Sequence, residues 1–332
     1  MKPLIAITLG DFNGIGPEIA IKAALDPSVR RICTPVLVGP LDVLRHTAGL
    51  LRIRTTFEKT TLTIIPKRGI PVLDVGDGIG ADVTFGRTAR VAGRSAGTAI
   101  EKAVELCVQR KVAAMVTAPV SKEGLHLAGY DFPGQTEMVA LLSRSRRVLM
   151  VLAGKTMRVA LATVHAPLRS VPDQLSTEKL VEKGSILLAA LKRDFGIRKP
   201  NIAVLGLNPH AGENGHIGVE DRDIVGPAVE KLRAEGHSVE GPFPADAFFG
   251  THAYRRFDAI LAMYHDQGLI PMKMSGFDTG VNFSAGLQII RTSPDHGVAF
   301  DLAGRNKAST SSMVAAVTMA VSVWKRRRAA HD

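Results

Sequence analysis

Cysteine is almost missing from this chain: its 332 residues hold two, Cys33 and Cys107. That excludes a disulfide framework, and neither residue stands in a CxxC or Cys/His spacing that binds a metal. The usage fits a reducing compartment, so a cytoplasmic location is expected. Aromatic residues amount to 5% and include a single Trp; they do not interleave with basic residues to make a base-stacking platform. The net charge of +11, from 42 Lys+Arg against 31 Asp+Glu, is therefore assigned to a small anionic substrate rather than to nucleic acid. No GxxxxGK[ST] phosphate loop occurs, and there is no internal repeat or low-complexity linker. The opening MKPLIAITLGD reaches an acidic residue too early for a signal peptide. No membrane span is expected either. The stretch 308–324 is uncharged, but it includes Ser309-Thr310-Ser311-Ser312, leaving an apolar part shorter than the roughly 20 residues a span needs. It reads as a buried C-terminal helix, capped by the Ser/Thr cluster, with Lys325 to Arg328 balancing the helix dipole.

What is present is the composition of a soluble globular protein, 45% hydrophobic and 22% charged, long enough for about two domains or one large α/β unit. Short apolar, β-branched runs alternate with amphipathic ones. Residues 4–9 read as a buried strand, 10–16 as a turn, and Pro17 opens a helix that runs through Leu25. Residues 36–39 repeat the strand, with a helix from Leu41. Ala99, Ile100, Ala103, Val104 and Cys107 share one face of a helix over 97–110, which makes Cys107 a core thiol. Further strands are expected at 112–117, 148–152, 157–163, 201–207 and 257–263, with helices around 137–142, 177–192 and 226–234. This alternation predicts an α/β fold with a mainly parallel sheet covered by helices on both faces. The Thr- and Gly-rich segment 55–90 reads as a less regular excursion, and 268–291 as loop-rich.

The run Gly10-Asp11-Phe12-Asn13-Gly14-Ile15-Gly16-Pro17-Glu18 follows a strand and opens a helix, as a dinucleotide loop does. Ile19, however, takes the third glycine position, and Glu18 would repel a pyrophosphate. A tight structural turn is the reading that remains. The histidines carry a stronger signal. Of ten, three follow directly on apolar strands: His165, His210 and His265. In an open parallel sheet the carboxyl ends of the strands gather on one edge, where ligands bind. One such histidine alone is accounted for as a hydrogen-bonded boundary residue; three in the same context point to a His₃ metal site with an open coordination position. Asp246 and Asp266 are candidate carboxylate ligands or outer partners. Lys273, Asn282 and Arg291 are candidate anion binders. Gly134-Gln135-Thr136-Glu137 places amide and hydroxyl groups before a helix N-terminus, a natural phosphate position.

Taken in order, Gly14-Ile15-Gly16-Pro17-Glu18, Thr117-Ala118-Pro119-Val120-Ser121-Lys122-Glu123, Phe132-Pro133-Gly134-Gln135-Thr136-Glu137, Leu207-Asn208-Pro209-His210-Ala211-Gly212-Glu213, Met263-Tyr264-His265-Asp266-Gln267-Gly268 and Ile290-Arg291-Thr292-Ser293 form a series. It resembles the motif series of the 4-hydroxythreonine-4-phosphate dehydrogenase family and covers nearly the whole chain. The resemblance implies one dehydrogenase unit with an isocitrate/isopropylmalate dehydrogenase-like fold: two α/β/α subdomains, split approximately as 1–135 with 305–332 and 136–304, around an interdomain cleft. It further implies a homodimer whose active site is shared between subunits. His165, His210 and His265 would bind a divalent metal, zinc, magnesium or cobalt, one of them across the dimer interface. Gln135, Thr136, Lys273, Asn282 and Arg291 would contact the phosphorylated substrate. Asp295, His296, Gly297 and Asp301 lie in a stretch that resembles the cofactor loop of isopropylmalate dehydrogenases, for NAD or NADP. The chain departs from the family pattern at Phe12-Asn13 (usually Pro-Ala), Ser121 (Asn), Gln135 (His), Arg305-Asn306 (Lys-Gly) and along 281–288. Gln135 matters most, because histidine can be cationic and glutamine cannot.

The implied reaction oxidises a secondary alcohol and then releases CO₂, converting 4-phosphooxy-L-threonine to 3-amino-2-oxopropyl phosphate in vitamin B6 biosynthesis. Lys273, Asp246 and Asp266 are all candidates for the general base. Paralogues acting on phosphorylated threonate or erythronate, or on a carboxylated aromatic cis-dihydrodiol, stand as alternatives. A metal-dependent hydrolase and a nucleic-acid-binding protein are the distant ones.

Overall fold

The structure is a computed structural model that describes residues 2–66, 68–76, 83–276 and 280–330. Residues 67 and 77–82 of the 55–90 excursion, and 277–279 of the 268–291 stretch, lie outside the described residues. Twelve strands are described: β1 (Leu4–Thr8), β2 (Thr34–Val38), β3 (Phe57–Lys59), β4 (Ile70–Leu73), β5 (Ala114–Thr117) and β6 (Leu149–Ala153), then β7 (Arg158–Leu161), β8 (Asn201–Leu205), β9 (Ser238–Phe243), β10 (Ala259–Ala262), β11 (Val281–Ala285) and β12 (Arg291–Pro294). The chain divides into two compact units, Met1–Arg146 with Leu287–Lys325, and Arg147–Gly286 with Arg326–Asp332.

The first unit orders its strands β3-β4-β2-β1-β5-β12, and every pair is parallel. Ile5, Ile7, Val36, Leu37, Val38 and Val116 have no exposed surface, the all-apolar signature of strands covered on both faces. Pro17 sits in the first turn of the helix Gly16–Leu25, where its missing N–H costs nothing. The helix Arg90–Val108 begins earlier than the apolar periodicity suggests and buries the small residues Ala92, Ser95 and Ala96. The turn over 10–16 is tied to two distant segments. Asp11 N–H donates to Pro119 O at 2.9 Å and Ile15 N–H to Val298 O at 3.0 Å.

The second unit orders its strands β11-β6-β7-β10-β8-β9. β7, β10, β8 and β9 run parallel, but β6 is antiparallel to both β7 and β11. A mainly parallel sheet therefore holds for the chain as a whole, with this exception, and its cause is length. Residues 154–157 are too few for a helical crossover, so β6 and β7 close as a hairpin, with Gly154 N–H bonded to Met157 O at 3.0 Å.

Several segments differ from expectation. The 55–90 excursion contains β3 and β4, and the expected loops at 268–291 are the end of the helix His265–Ser275, β11 and the start of β12. The chain passes from one unit to the other at 146/147, 286/287 and 325/326, rather than at 135/136 and 304/305. The helix Gln135–Leu142 and β12 belong to the first unit because Arg291 bonds Thr136 and Thr117 there, and residue 298 is bonded to Ile15. The C-terminal helix Ser311–Ala329 continues through the basic run. Arg327 does more than balance a dipole: its Nε donates to Asp194 Oδ1 at 2.7 Å, and Arg326 donates to Asp194 O at 3.3 Å. No helix among the described residues is long and apolar enough to cross a membrane.

Candidate functional site

In the second unit the carboxyl ends of β7, β10 and β8 lie side by side. β10 pairs in parallel with both neighbours, with Ala262 level with Leu161 and Leu261 level with Val204. Each strand is followed, within five residues, by one of the expected histidines. His165 and His265 come together, with ring centroids 6.0 Å apart. They share a cavity of about 330 Å³ with Leu168, Val171 and Tyr264. Asp266 Oδ1 stands 2.7 Å from His265 Nδ1. A carboxylate there accepts from Nδ1–H and leaves Nε2 with its lone pair available, the usual arrangement behind a metal-binding imidazole.

His210 is not brought to this pair. Among the described residues no three His, Cys, Asp or Glu side chains gather as a metal-holding group. Residues 210–214 all have positive φ, between 43° and 77°, and His210 is exposed. Two imidazoles, one of them oriented by a carboxylate, are nevertheless a donor set that suits a divalent ion of the zinc or cobalt class. The residues present therefore fit such an ion, with further ligands to be supplied. Asp246 is exposed in the first turn of the helix Ala245–Gly250, and Lys273 is exposed in the last turn of His265–Ser275. Asn282 lies on β11, its Oδ1 buried without a hydrogen-bond partner.

In the first unit a second group of expected residues assembles. Arg291, at the start of β12, is 2% exposed. Its Nε and Nη2 donate to Thr117 Oγ1 at 3.1 and 2.8 Å, and Nη1 donates to Thr136 Oγ1 at 3.2 Å. Nη2 also reaches Gln135 Oε1 at 3.5 Å, while Gln135 Nε2 donates to Ala118 O at 3.4 Å. Desolvation lowers the guanidinium pKa to about 10, opposed by the Glu137 carboxylate, so the group remains a cation at neutral pH. Thr136 stands in the first turn of Gln135–Leu142, whose N-cap Gly134 has no side chain to cap the free amides. Arg291 thus places a buried cation, bonded to Thr117, Thr136 and Gln135, beside the start of the helix Gln135–Leu142, a position whose charge and backbone amides favour an anion such as a phosphate.

The expected cofactor stretch is also in the first unit. Asp295 N–H donates to Ser312 Oγ at 3.1 Å, and Asp301 is exposed. His296 Nδ1 lies 3.2 Å from Gly297 O. Its Nε2 is buried without a partner, and a side chain at Gly297 would meet nothing within 4 Å. A buried imidazole nitrogen with hydrogen-bonding capacity left over, and an open position at the neighbouring glycine, fit a polar ligand such as a dinucleotide.

Sequence reasoning passed over four residues that the structure makes prominent. Thr117 holds Arg291. Asn13, fully buried, accepts from Thr84 N–H at 2.9 Å and donates to Arg87 O at 3.0 Å, so it tethers the segment 84–87. Gln267 and Asp221 brace the strand ends that lead to the histidines. Thr117, Asn13 and Gln267 all lie within or beside the motifs, and for Asn13 and Gln267 a polar side chain directly before a glycine was the available signal.

Comparison with known proteins identifies the family. Residues 31–320 match the family described as pyridoxal phosphate biosynthetic protein PdxA. A 4-hydroxythreonine-4-phosphate dehydrogenase of Trichlorobacter lovleyi is 42% identical over 332 residues, covering 98% of this chain and 99% of its own. The crystal structure of 4-hydroxythreonine-4-phosphate dehydrogenase from Klebsiella pneumoniae matches with a TM-score of 0.87 at 38% identity, covering 98% of each chain. A terephthalate 1,2-cis-dihydrodiol dehydrogenase from Burkholderia xenovorans LB400 matches less well, with a TM-score of 0.65 at 29% identity over 97% of this chain and 98% of that one. The chain belongs to the PdxA family of pyridoxal phosphate biosynthetic proteins.

Proposed function

We propose that the protein is a nicotinamide-linked, divalent-metal-dependent dehydrogenase that oxidises and decarboxylates 4-phosphooxy-L-threonine to 3-amino-2-oxopropyl phosphate. The observation that carries the reading is the full-length match, at 42% identity, to a relative named for that substrate. The closer fit to 4-hydroxythreonine-4-phosphate dehydrogenase than to the dihydrodiol enzyme, 0.87 against 0.65 in TM-score, favours the phosphorylated substrate over the aromatic one. A buried Arg291 supports the same choice.

When bound, the nicotinamide accepts a hydride and the divalent cation acts as a Lewis acid toward the substrate oxygens. His165 and His265 hold the cation, and His210 of a second copy completes the set in a homodimer. Asp266 keeps the proton on Nδ1 of His265, so that Nε2 is the donor atom. Because Asp266 is engaged in this way, Lys273 and Asp246 are the groups left to take the alcohol proton. Arg291 and Thr136 hold the substrate phosphate, and the free amides at the start of Gln135–Leu142 add to that hold. Asn282, with its unsatisfied Oδ1, accepts from a substrate N–H or O–H. Asp295, His296, Gly297 and Asp301 receive NAD or NADP.

The test is NADH formation with 4-phosphooxy-L-threonine, phosphorylated threonate and erythronate, and an aromatic dihydrodiol, each with Zn²⁺, Mg²⁺ or Co²⁺ and with NAD or NADP. Activity should be greatest on 4-phosphooxy-L-threonine and should vanish in His165→Ala and His265→Ala. Full activity in either variant, or turnover that needs no nicotinamide, overturns the reading. Gln135→His should change the relative rates among the phosphorylated substrates, because it replaces a neutral amide beside Arg291 with an ionisable ring.

A further inference from the structure

The strand ends that carry the three histidines are tied to one another by buried side chains outside the proposed metal shell. Thr163, beyond β7, donates its N–H and its Oγ1 to Met263 O at 3.1 and 2.8 Å. Met263 follows β10 directly, and its N–H donates to Gln267 Oε1 at 2.7 Å. The other end of the same amide, Gln267 Nε2, donates to Gly206 O at 2.6 Å, beyond β8. Gln267 is 9% exposed, so one side-chain amide spans the exits of two adjacent strands in a site nearly closed to water.

Beyond Gly206 a second brace takes over. Asp221 is 1% exposed; its Oδ1 accepts from Leu207 N–H at 2.6 Å and its Oδ2 from Asn208 N–H at 2.9 Å. Asn208 Nδ2 in turn donates to Glu220 Oε2 at 2.8 Å. The carboxylate of Asp221 fits against Gly206 and Gly212, where a Cβ would come within about 3.0 and 3.3 Å of its oxygens. The chain then enters the left-handed residues 210–214, four of them not glycine. Such backbone persists only where its surroundings fix it. Asp221, bonded to the residues before this turn and packed against Gly212 within it, is the group that fixes it.

We infer that Gln267 and Asp221 are positioning residues for the metal-binding histidines. Gln267 locks the strand exits of His265 and His210 to each other, and Asp221 holds the left-handed turn that presents His210. This rests on the metal reading above. Neither residue need touch the ion, so each acts on how well the site is arranged before the ion arrives, as outer partners of metal ligands do. A purely structural role for the same bonds would change the melting temperature and leave the affinity of the folded protein alone.

The test is Co²⁺ titration of the metal-stripped full-length protein, followed by the visible absorption of the bound ion and by competition with a chelator. Gln267→Met keeps the side-chain length and removes both hydrogen bonds; it should weaken Co²⁺ binding about 10- to 100-fold and alter the absorption band. Gln267→Glu keeps the acceptor for Met263 N–H but sets a carboxylate oxygen against Gly206 O, 2.6 Å from the amide nitrogen it replaces, so it should weaken binding at least as much as Gln267→Met. Asp221→Asn retains one acceptor oxygen and should lose less affinity than Asp221→Ala. Asp221→Asn is the gentlest of these changes and carries the test if the others do not fold. Folded variants that bind Co²⁺ within twofold of the parent, while His165→Ala and His265→Ala lose it, overturn this inference alone. If the histidine variants also bind normally, the metal reading itself falls.

Discussion

Asp11→Asn isolates the energetics of the turn that closes the first unit. Asp11 has no exposed surface, and its Oδ1 accepts from Asn13 N–H at 2.9 Å. Burial pushes its carboxyl pKa up from 3.8 to about 6, while the amides of Asn13 and Ser121 pull it part of the way back. The unfolded chain ionises this group near 3.8, so between that pH and about 6 the folded protein holds a proton that the unfolded one has released. The contribution to stability therefore falls as pH rises through that window and is constant below it and above it. With one pKa unit worth about 1.4 kcal/mol, keeping Asp11 ionised in the folded state costs on the order of 3 kcal/mol at neutral pH, as an upper figure. Asparagine retains the acceptor for Asn13 N–H and carries no charge at any pH. Urea denaturation of both proteins from about pH 4 to pH 8 should show the variant gaining on the parent as pH rises, with the gain complete above about pH 6.5. The other titrating groups are common to both proteins and cancel in the difference. A difference that stays flat with pH, or that increasingly favours the parent at high pH, refutes burial as the cause of the shift.

Three further outcomes follow from groups outside the proposed chemistry. Burial pushes the thiols of Cys33 and Cys107 up to about 12, so at pH 8 only about one thiol in ten thousand is ionised; both should resist a thiol reagent in native protein and react at once in urea, and rapid native labelling would contradict their placement. Asp194 is fully buried and accepts from both Arg193 and Arg327; Asp194→Ala takes this carboxylate away from the largely buried Arg327 guanidinium and should lower the unfolding free energy by about 3–5 kcal/mol. Arg193→Ala, at a side chain 45% exposed, should cost about 0–1 kcal/mol in the same urea titration, and equal losses would show that burial does not set the cost. Gly10 has φ +65°, and a Cβ there would fall 2.1 Å from Pro119 O; Gly10→Ala should therefore shift the backbone and give a large drop in melting temperature, and a variant melting with the parent would show that the turn can yield.

How much of the fold the sequence displays depends on what each strand must do. β1, β2, β5, β7, β8 and β10 are apolar runs buried on both faces, and hydrophobic patterning alone locates them. β12 is as deeply buried as they are, yet it reads Arg291-Thr292-Ser293-Pro294, which periodicity takes for a loop. Its two larger polar side chains are tolerated because they find partners: Arg291 finds Thr117 and Thr136, and Thr292 Oγ1 donates to Ala316 O at 2.9 Å. β11 hides because Asn282 and Ser284 interrupt its apolar pattern, although Asn282 Oδ1 is left without a hydrogen-bond partner. Both strands supply residues of the proposed site, so the pattern fails where chemistry has displaced apolar residues from a buried position.

The same logic separates what could be seen of the histidines from what could not. That His165, His210 and His265 end adjacent strands follows from their place after apolar runs, and the order β7-β10-β8 puts their exits on one edge. Which two of them meet is decided by backbone handedness. Beyond β8, His210, Ala211, Glu213 and Asn214 adopt positive φ, a conformation that no propensity assigns to His, Ala or Glu in succession. Asp221, in the helix that begins after the turn, bonds Leu207 and Asn208 before it and lies against Gly212 within it, contacts that no local pattern announces. Gln267 is equally invisible for a topological reason. Its amide bridges residues 206 and 263, which are far apart in sequence and become neighbours because β10 inserts between β7 and β8. A residue whose work is to join two non-consecutive strands has no local signature, and the polar side chain that sequence reading would assign to the surface is the one that sets the geometry of the site.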